Sequence, residues 1–471
     1  MADVLVLGAG MTGLTTAMLL ARDGHHVTVL DHNPAGPAHD AWSSWERPGV
    51  PQFRLPHIAL PRWRALIEQE LPDVLAELLE RGGRRFNLLG EGVWPMEAGS
   101  SYRPGDERFD VVGARRPILE AAVAATADRT PGITIRRGVT VTGLLTGLYL
   151  TPGPPRVTGV RTRDGENIHA ELVVDATGRR SPLPRLLAGI NATAPLEERE
   201  DDGFVYYSRH YRSTDGSRPT YLGWLAEHFE SLSVITLAAD NDTWSVALVI
   251  SSQDRELRAL RDVDSFERVA ALFPNSASWS KIGEPITGVL SMANLEDRYR
   301  RLVVEGEPVV TGLVAVGDAW AATNPTLGLG LTLGALHGTV LRDLLRETDP
   351  QEHEKLARRF DEDTEETVTP VFQALRSWSR HRRAEVTGDI AGRPYETNDH
   401  EWLITKALDA AKFRDPELLR AAADIGSLTA PAPDVLDAPG LVDKVMALGG
   451  AAPQYPAPGP RRAELLAAIA D

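Results

Sequence analysis

The first 31 residues constrain the fold of this chain more than any other stretch. A short apolar run at residues 3–7 (DVLVL) leads into the glycine-rich sequence GAGMTG at residues 8–13. Apolar residues then recur at helical spacing, and a second apolar run at residues 26–31 (HVTVLD) ends on an acid. This order of strand, glycine turn, helix, strand and acid predicts a parallel βαβ unit of the kind that binds dinucleotides.

Each residue type in this unit has a physical reason. Gly8 permits the tight turn, Gly10 lets the backbone approach a pyrophosphate, and Gly13 allows the helix to pack closely against the strand. The helix N-terminus then faces the phosphates, and Asp31 can accept hydrogen bonds from ribose hydroxyls. The pattern by itself does not choose between NAD(P) and FAD.

Composition narrows the classes of function. The 471 residues exceed one ordinary core and predict two or three domains. A formal net charge of −16 argues against nucleic acid as a partner, because nucleic-acid binders are usually basic. There is no cysteine, which removes thiolate chemistry, and the twelve histidines show no metal-binding spacing, so no metal site is expected.

The hydropathy pattern predicts neither a signal sequence nor a membrane-spanning helix. The N-terminus enters a strand almost at once, which leaves no room for a signal sequence. No apolar run approaches the length of about 18 residues that a membrane helix needs. We therefore expect a cytoplasmic protein without a membrane span.

The rest of the chain changes character twice. Three strand-like runs within residues 133–174, with Asp164-Gly165 as a hairpin turn, predict an antiparallel meander that returns to the parallel sheet at VVDATG. Within residues 203–251, the runs FVYYSRHYR, PTYLGWLAE, SLSVITLAA and TWSVALVIS predict an antiparallel sheet that can wall a ligand cavity. Most of residues 352–425 predicts helices, with RHRR at 380–383 on a solvated helix face.

In the segment VAVGDAWAATNPTLGLG at residues 314–330, an acid follows a strand that reads as buried, and the question is what this acid binds. A strand that reads as buried ends at Gly317-Asp318, and Gly328 and Gly330 open the next apolar segment. A helix N-terminus with bare N–H groups stabilises negative charge on a ligand.

Three motifs therefore stand in order: GAGMTG with Asp31, then VVDATGRRSPLPR, then VAVGDAW with NPTLGLG. This order resembles the FAD-dependent monooxygenases of the para-hydroxybenzoate hydroxylase superfamily. RPGVPQFRLPH at residues 47–57, GFVYYSRHYR at 203–212 and GDAWAATNP look closest to polyether-type flavin epoxidases and geranylgeranyl-reductase-like flavoproteins. The resemblance covers residues 1–345.

The resemblance implies an α/β fold, α+β overall. It would combine a Rossmann-like FAD-binding domain with an antiparallel β-sheet substrate domain and a helical C-terminal region. We expect the discontinuous FAD-binding domain at residues 1–80, 100–200 and 286–345. The β-sheet substrate domain is expected at 81–99 and 201–285, and the helical region at 346–471.

The resemblance also implies which residues bind FAD. At the place of Asp318 the superfamily has an acid that accepts from the ribityl chain, and the turn at Pro325 lies against the isoalloxazine. Arg116 would contact the flavin or its phosphates, and Arg47 belongs to a loop beside FAD. The implied FAD-binding set is Gly8, Gly10, Met11, Thr12, Gly13, Asp31, His32, Arg47, Arg116, Val139, Asp175, Ala176, Thr177, Gly178, Asp318, Pro325, Gly328, Leu329 and Gly330.

One position departs from the family pattern. The middle motif of the hydroxylases usually reads Asp-Gly-x-x-Ser with an Arg six residues after the Gly. This chain has Thr177 before Gly178, and Arg185 stands one position late. The missing Asp is tied in that family to FAD and NADPH handling. Electrons from NADPH or NADH therefore have two open routes, direct reduction or a separate flavin reductase.

The resemblance implies a monooxygenase, an epoxidase or hydroxylase of secondary metabolism. Reduced FAD would trap O₂ as a C4a-hydroperoxide and insert one oxygen into a hydrophobic substrate, for example a polyene or polyketide-like molecule. The alternative is a flavin-dependent reductase or dehydrogenase of the geranylgeranyl-reductase kind. A flavin-dependent halogenase is less favoured, since no lysine precedes Lys281 and Trp42-Ser-Ser-Trp45 lacks the halogenase motif. A non-enzymatic flavoprotein is the remaining alternative.

No catalytic side chain is identified by the sequence. Epoxidation of an electron-rich alkene needs no protein base, whereas aromatic hydroxylation needs one. His57, Tyr207 and His210 are the candidates for such a base, and for each a hydrogen-bonded structural role is the simpler interpretation.

Overall fold

A computed structural model describes residues 1–37, 40–90, 102–147 and 153–470. The strands are β1 (Asp3–Leu7), β2 (His26–Asp31), β3 (Ile58–Ala59), β4 (Arg84–Asn87), β5 (Asp110–Gly113), β6 (Ile133–Arg137), β7 (Val141–Thr146), β8 (Val157–Thr162), β9 (Asn167–His169), β10 (Leu172–Asp175), β11 (Leu196–Asp201), β12 (Phe204–Arg212), β13 (Ala226–His228), β14 (Leu232–Ala238), β15 (Thr243–Ser251), β16 (Glu284–Pro285), β17 (Leu290–Met292), β18 (Glu296–Arg301), β19 (Val303–Val304), β20 (Glu307–Pro308), β21 (Leu313–Ala315) and β22 (Ala321–Ala322).

The α-helices of the described residues alternate with these strands and then follow them without interruption. They are α1 (Met11–Arg22), α2 (Ala41–Ser44), α3 (Pro61–Glu70), α4 (Pro72–Glu80), α5 (Arg116–Arg129), α6 (Leu183–Ala188), α7 (Val263–Ala270), α8 (Pro274–Lys281), α9 (Gly330–Glu347), α10 (His353–Thr367), α11 (Thr369–Ile390), α12 (His400–Ala411), α13 (Pro416–Ser427), α14 (Ala432–Leu436), α15 (Leu441–Gly449) and α16 (Arg462–Ala470).

A parallel sheet organises the N-terminal part of the fold, with the strand order β21-β10-β1-β2-β6. Strands β1, β10 and β21 are apolar and buried along most of their length, as parallel strands usually are. Helix α1 connects β1 to β2, and β2 ends on Asp31. The Rossmann-like unit that the first 31 residues predict is confirmed.

The predicted meander is partly wrong. An antiparallel sheet of order β7-β8-β9 is present, and the Asp164-Gly165 turn joins β8 to β9. Residues 133–137 do not belong to it. They form β6 at the edge of the parallel sheet, because their backbone pairs in register with Val27–Asp31 of β2.

A second large sheet is antiparallel and has the strand order β13-β14-β15-β12-β16, with β17 also paired to β12. Strands β12, β14 and β15 match three of the four predicted runs. The fourth, PTYLGWLAE at residues 219–227, is extended only at its end, where β13 begins at Ala226. Its aromatic residues pack as core instead: Tyr221 stacks with Phe86 and contacts Trp279.

The chain from α10 onward is helical, as predicted, but RHRR at residues 380–383 is not a solvated helix face. Arg382 is fully buried on α11 and donates to the carbonyl oxygens of Phe229 and Leu232. Arg383 pairs with Glu200 of β11. Arg382 therefore docks α11 onto the turn between β13 and β14, and Arg383 docks it onto β11, which sequence periodicity alone did not indicate.

The expected boundaries of the three domains stay a prediction, and residues 91–99 of the expected substrate domain lie outside the described residues. Within the described ranges, each helix is too short or too polar to cross a membrane.

Candidate active site

One cavity of about 1560 Å³ runs between the two large sheets and continues to helices α11 and α12. We call its two principal sides the dinucleotide wall, formed at the carboxyl ends of β1, β2, β10 and β21, and the sheet wall, formed by one face of β12–β15. The carboxyl edge of a parallel sheet is where such folds bind ligands. Every residue of the implied FAD-binding set lines this cavity except Gly13.

The glycine turn of the dinucleotide wall leaves room for a ligand to approach the protein backbone. A Cβ added at Gly10 would have no protein atom within 4 Å, whereas one at Gly13 would lie 2.0 Å from the carbonyl oxygen of Gly8. Gly8 itself has φ +104°, a conformation that other residues rarely adopt. Helix α1 has Gly10 as its N-cap and no side chain caps it, so its first N–H groups are available to a phosphate.

Asp31 is held by a buried hydrogen-bond network. Its carboxylate accepts from the backbone N–H of Ala9 at 2.8 Å and of Asn33 at 2.7 Å, and from Arg47 at 2.9 Å. Oδ1 accepts one of these three bonds and Oδ2 two. An acceptor site on Oδ1 therefore remains, which fits a ribose hydroxyl.

The network continues from Arg47 to the middle of the cavity. Arg47 donates to Glu120 at 2.5 Å, and Glu120 accepts from Arg116 at 2.6 Å. Burial alone would raise the pKa of Glu120, but Arg116 and Arg47 offset it and hold the pKa below its ordinary value. Both arginines line the cavity, but the Arg47 guanidinium is buried between two carboxylates, so its charge is already paired within the protein.

Both ring nitrogens of His57 are hydrogen-bonded within the protein. Its Nδ1 lies 3.0 Å from the carbonyl oxygen of Leu55, which only accepts, so Nδ1 carries the proton. Nε2 then accepts from Arg116 at 2.9 Å. Burial and the Arg116 charge lower the pKa of His57 to about 3. His57 thus orients Arg116 and has no nitrogen left to act as a base.

The middle motif forms a compact turn after β10. Asp175 accepts from the N–H and the hydroxyl of Thr177, at 2.9 and 2.5 Å, and from Ser181 at 2.5 Å. Arg300, fully buried on β18, donates to the same Ser181 hydroxyl at 3.2 Å. Thr177, the position that departs from the family pattern, therefore stabilises the turn through its hydroxyl.

Asp318 lines the cavity and is half-buried. It follows Gly317, which has φ +57°, and among the described residues no protein group donates to its carboxylate. The Gly317 N–H donates to Nδ1 of His337 at 3.2 Å, and Nε2 of His337 donates to Thr364. Burial lowers the pKa of His337 to about 3, so the ring stays neutral and fixes the turn that presents Asp318.

A second helix N-terminus lies beside Asp318. The turn at Pro325–Leu327 ends at Gly328, which has φ +70°, and α9 begins at Gly330 without a side-chain cap. A Cβ added at Gly330 would meet no protein atom within 4 Å. The polar groups of this wall (N–H donors at two uncapped helix N-termini and two carboxylates that can accept) fit a dinucleotide such as FAD.

The sheet wall is apolar and follows the strand register. Ser208, Ala247, Ile235 and Ala226 lie opposite one another across β12, β15, β14 and β13, and all four line the cavity. Side chains alternate between faces, so Tyr206 lines the cavity while Tyr207 points to the opposite face. The Tyr206 hydroxyl donates to Asn324 at 2.6 Å and contacts Thr326 at 2.7 Å, which joins this wall to the turn before α9.

Two of the candidate bases therefore do not line the cavity. Tyr207 faces away from it, on the opposite side of β12 from Tyr206. His210 is fully buried at the end of the same strand, where Nε2 lies 2.9 Å from the carbonyl oxygen of Arg54 and Trp42 packs on the ring. Burial lowers the pKa of His210 to about 4. The sequence does not identify Tyr206 as the cavity-facing residue. Tyr206 and Tyr207 lie on opposite faces of β12, and both faces carry the same residue type.

Comparisons with known proteins agree with this geometry. The sequence profile of a family described as FAD dependent oxidoreductase matches residues 3–86, from β1 to β4. D-amino acid dehydrogenase from Methylobacterium radiotolerans is 35% identical over 433 residues, which covers 74% of this chain and 96% of that protein. The chain belongs to the FAD-dependent oxidoreductases.

Other proteins similar to this oxidoreductase carry a different activity in their names. FAD-dependent monooxygenase fsr3 of Gibberella fujikuroi is 24% identical over 367 residues, covering 73% of this chain and 65% of that protein. A crystal structure of PqsL from Pseudomonas aeruginosa, named a "probable FAD-dependent monooxygenase", has a TM-score of 0.60 at 18% identity and covers 83% of this chain and 98% of that chain. This structural likeness confirms the predicted α/β fold class.

The geometry of the oxidoreductase also adds residues that the sequence did not single out. Tyr206 and Arg179 line the cavity, and Arg179 donates to the carbonyl oxygens of Glu296 and Thr323. His337 positions the Asp318 turn from 20 residues away. Each acts through a contact between segments distant in the chain, and no local sequence signal marks it.

Proposed function

We propose that this FAD-dependent oxidoreductase is a monooxygenase that inserts one oxygen atom from O₂ into a large hydrophobic substrate. The observation that carries the proposal is the continuity of the cavity from the glycine turn to the apolar face of the antiparallel sheet. Epoxidation or hydroxylation of a polyene or polyketide-like molecule suits such a wall. The resemblance to polyether-type epoxidases and the named activity of fsr3 support the same reaction class.

The dinucleotide wall supplies groups for each part of FAD. We assign Asp31 to the adenosine ribose, the N-terminus of α1 to the pyrophosphate, and Asp318 to the ribityl chain. The N-terminus of α9 would face the flavin ring and favour its negative charge. Bound FAD supplies the redox chemistry, which is electron transfer and activation of O₂.

The sheet wall excludes water and orients the substrate. Ala247, Ile235 and Ala226 offer no group that competes for a proton or a hydrogen bond. Both ring nitrogens of His57 are hydrogen-bonded, and the Tyr206 hydroxyl donates to Asn324, so neither side chain is available as a base. This favours epoxidation over a hydroxylation that first deprotonates a phenol.

The source of electrons is NADPH or NADH, either directly or through a separate flavin reductase. Thr177 replaces the acid that the hydroxylases use near this step, and it is bound to Asp175. We favour the separate reductase for that reason.

A dehydrogenase is the second candidate, because a protein named D-amino acid dehydrogenase is 35% identical to this chain. Such an activity would need a cation for the substrate carboxylate, and Arg116 is the cation that His57 and Glu120 hold at the cavity. A reductase that delivers hydride to an isolated double bond belongs to the same second class.

Anaerobic spectroscopy of the FAD-loaded protein separates these functions. D-alanine that bleaches the flavin without added nicotinamide would establish the dehydrogenase and reject the monooxygenase. If D-alanine has no effect, the flavin is reduced with NADPH, NADH or a flavin reductase and then exposed to ¹⁸O₂ with a polyene panel. Incorporation of one ¹⁸O atom per product supports the proposal, whereas product that forms without O₂ contradicts it.

A further inference from the structure

The sheet wall extends well beyond the dinucleotide wall. Neighbouring strands lie about 4.8 Å apart, so the distance from β12 across β15 and β14 to β13 is roughly 14 Å. Ser208 begins this row on β12 and Ala226 ends it on β13. A ligand that reaches the far end of the cavity is therefore elongated.

A second row of the register ends in a histidine. Tyr206, Val249, Ser233 and His228 lie opposite one another across the same four strands. Tyr206, at the near end, has its hydroxyl bound to Asn324 and Thr326. His228, at the far end, lines the cavity on the edge strand β13.

His228 lines the cavity and has one of its two ring nitrogens engaged. Its Nδ1 lies 2.8 Å from the hydroxyl of Ser233, and its ring centroid lies 5.1 Å from that of Trp378 on α11. Within the described ranges, no protein atom is hydrogen-bonded to Nε2. Because the serine hydroxyl can donate or accept, Nε2 can present either a proton or a lone pair to a ligand.

The cations near this end of the cavity are already paired. Lys406 lies 3.2 Å from Glu385, and Lys412 pairs with Asp409. Arg382 directs one nitrogen to Glu385 and the other to the carbonyl oxygens of Phe229 and Leu232. A ligand carboxylate would therefore find no uncommitted cation here and would pay the cost of desolvation.

We propose that the far end of the cavity binds the uncharged hydroxyl or carbonyl oxygen of an elongated apolar substrate, through Nε2 of His228 with Trp378 packed beside it. This inference rests on the proposed function, since it names the substrate class of the same cavity. Burial and the Arg382 charge hold the pKa of His228 well below its ordinary value, so the ring is neutral at physiological pH. A neutral imidazole binds a neutral oxygen without leaving a buried charge.

Three retinoids test the proposal with the oxidised, FAD-loaded protein. All-trans-retinol carries a hydroxyl, anhydroretinol lacks it, and retinoate carries a charge at the same end of a similar polyene. We expect retinol to bind at least tenfold more tightly than retinoate at pH 8. His228→Leu should weaken retinol binding about three- to tenfold, the effect of one neutral hydrogen bond, and leave anhydroretinol binding unchanged or stronger.

Matched variants and outcomes complete the test. His169→Leu makes the same substitution at an exposed position on β9 and should leave all three affinities unchanged. The inference fails if retinol does not bind, if retinoate binds as tightly as retinol, or if His228→Leu weakens retinol and anhydroretinol equally. Because binding needs no turnover, the two results are independent: selective retinol binding by a protein whose flavin is bleached by D-alanine would reject the proposed function and leave this binding site standing.

Discussion

The dinucleotide wall and the sheet wall face the same cavity but are built from different interactions. The dinucleotide wall uses glycine backbone, two helix N-termini and a buried chain of charges from Asp31 through Arg47 and Glu120 to Arg116. The sheet wall presents neutral side chains set by strand register. The residues of the dinucleotide wall depend on one another through this chain of contacts, whereas those of the sheet wall are substituted one at a time without breaking such a chain.

Arg47→Met tests the charge chain most severely. Removal of the guanidinium leaves Asp31 and Glu120 buried without their shared partner, and we expect a loss of about 3–5 kcal/mol in the free energy of unfolding. Urea unfolding measures it. The control is Arg22→Met, which removes the exposed pair with Asp73 and should cost about 1 kcal/mol or less. Equal losses would show that the buried chain has no special importance.

Two glycine variants separate folding from cofactor binding. Gly13→Ala places a Cβ 2.0 Å from the Gly8 carbonyl oxygen and should destabilise the chain by about 3 kcal/mol. The Cβ of Gly10→Ala meets no protein atom, so the free energy of unfolding should stay within about 1 kcal/mol of the wild-type value. The same variant should lose FAD affinity. Thermal unfolding of the FAD-free forms and flavin fluorescence titration measure the two effects. Full FAD affinity in Gly10→Ala would contradict the assignment of the turn.

Asp318→Ala tests the end of the dinucleotide wall. Loss of one charge-assisted hydrogen bond costs about 1.5–3 kcal/mol, so FAD affinity should fall tenfold or more without unfolding of the chain. Asp318→Asn, which keeps an acceptor but removes the charge, should fall in between. A variant that purifies with full flavin occupancy would show that Asp318 does not bind FAD.

His337 makes the stability of the Asp318 turn dependent on pH. The folded-state pKa of about 3 lies below the ordinary value of 6.5, so the unfolded chain binds more protons between these values. The stability that wild type gains from neutral His337 is complete above pH 6.5 and falls as the pH decreases toward 3. The stability difference between wild type and His337→Gln should shrink by about 1.4 kcal/mol per pH unit in that window. A difference that is constant from pH 7 to 4 would contradict a buried neutral ring.

Tyr206→Phe has the smallest expected effect and tests the link between the two walls. It removes the hydroxyl that bonds Asn324 and Thr326, at a cost of about 1 kcal/mol. The visible spectrum of bound FAD should shift, since the turn before α9 loses its support. Tyr207→Phe is the matched control on the opposite face, and a spectral shift in both variants would remove the distinction between the faces.

Local chemistry explains why much of the dinucleotide wall was predictable. Gly8, Gly10 and Gly13 are each needed for the backbone geometry of one short turn. Asp31 and Asp318 each follow the end of a buried strand. Such features lie within a few residues of one another, so the pattern of residue types is enough to place them. The glycine turn, the helix and the acid at the end of β2 followed from the first 31 residues.

Tertiary structure decided what depends on distant contacts. Arg47 meets Glu120 across 73 positions, and Arg382 enters the core through the carbonyl of Phe229, 153 positions away. The choice between Tyr206 and Tyr207 depends on which face of β12 is turned to the cavity, and both faces of that strand are apolar enough to be buried. The sequence alone determined the cofactor fold and its backbone turns, because those are local; the partners of buried charges and the side chains that face the substrate were set by packing between segments far apart in the chain.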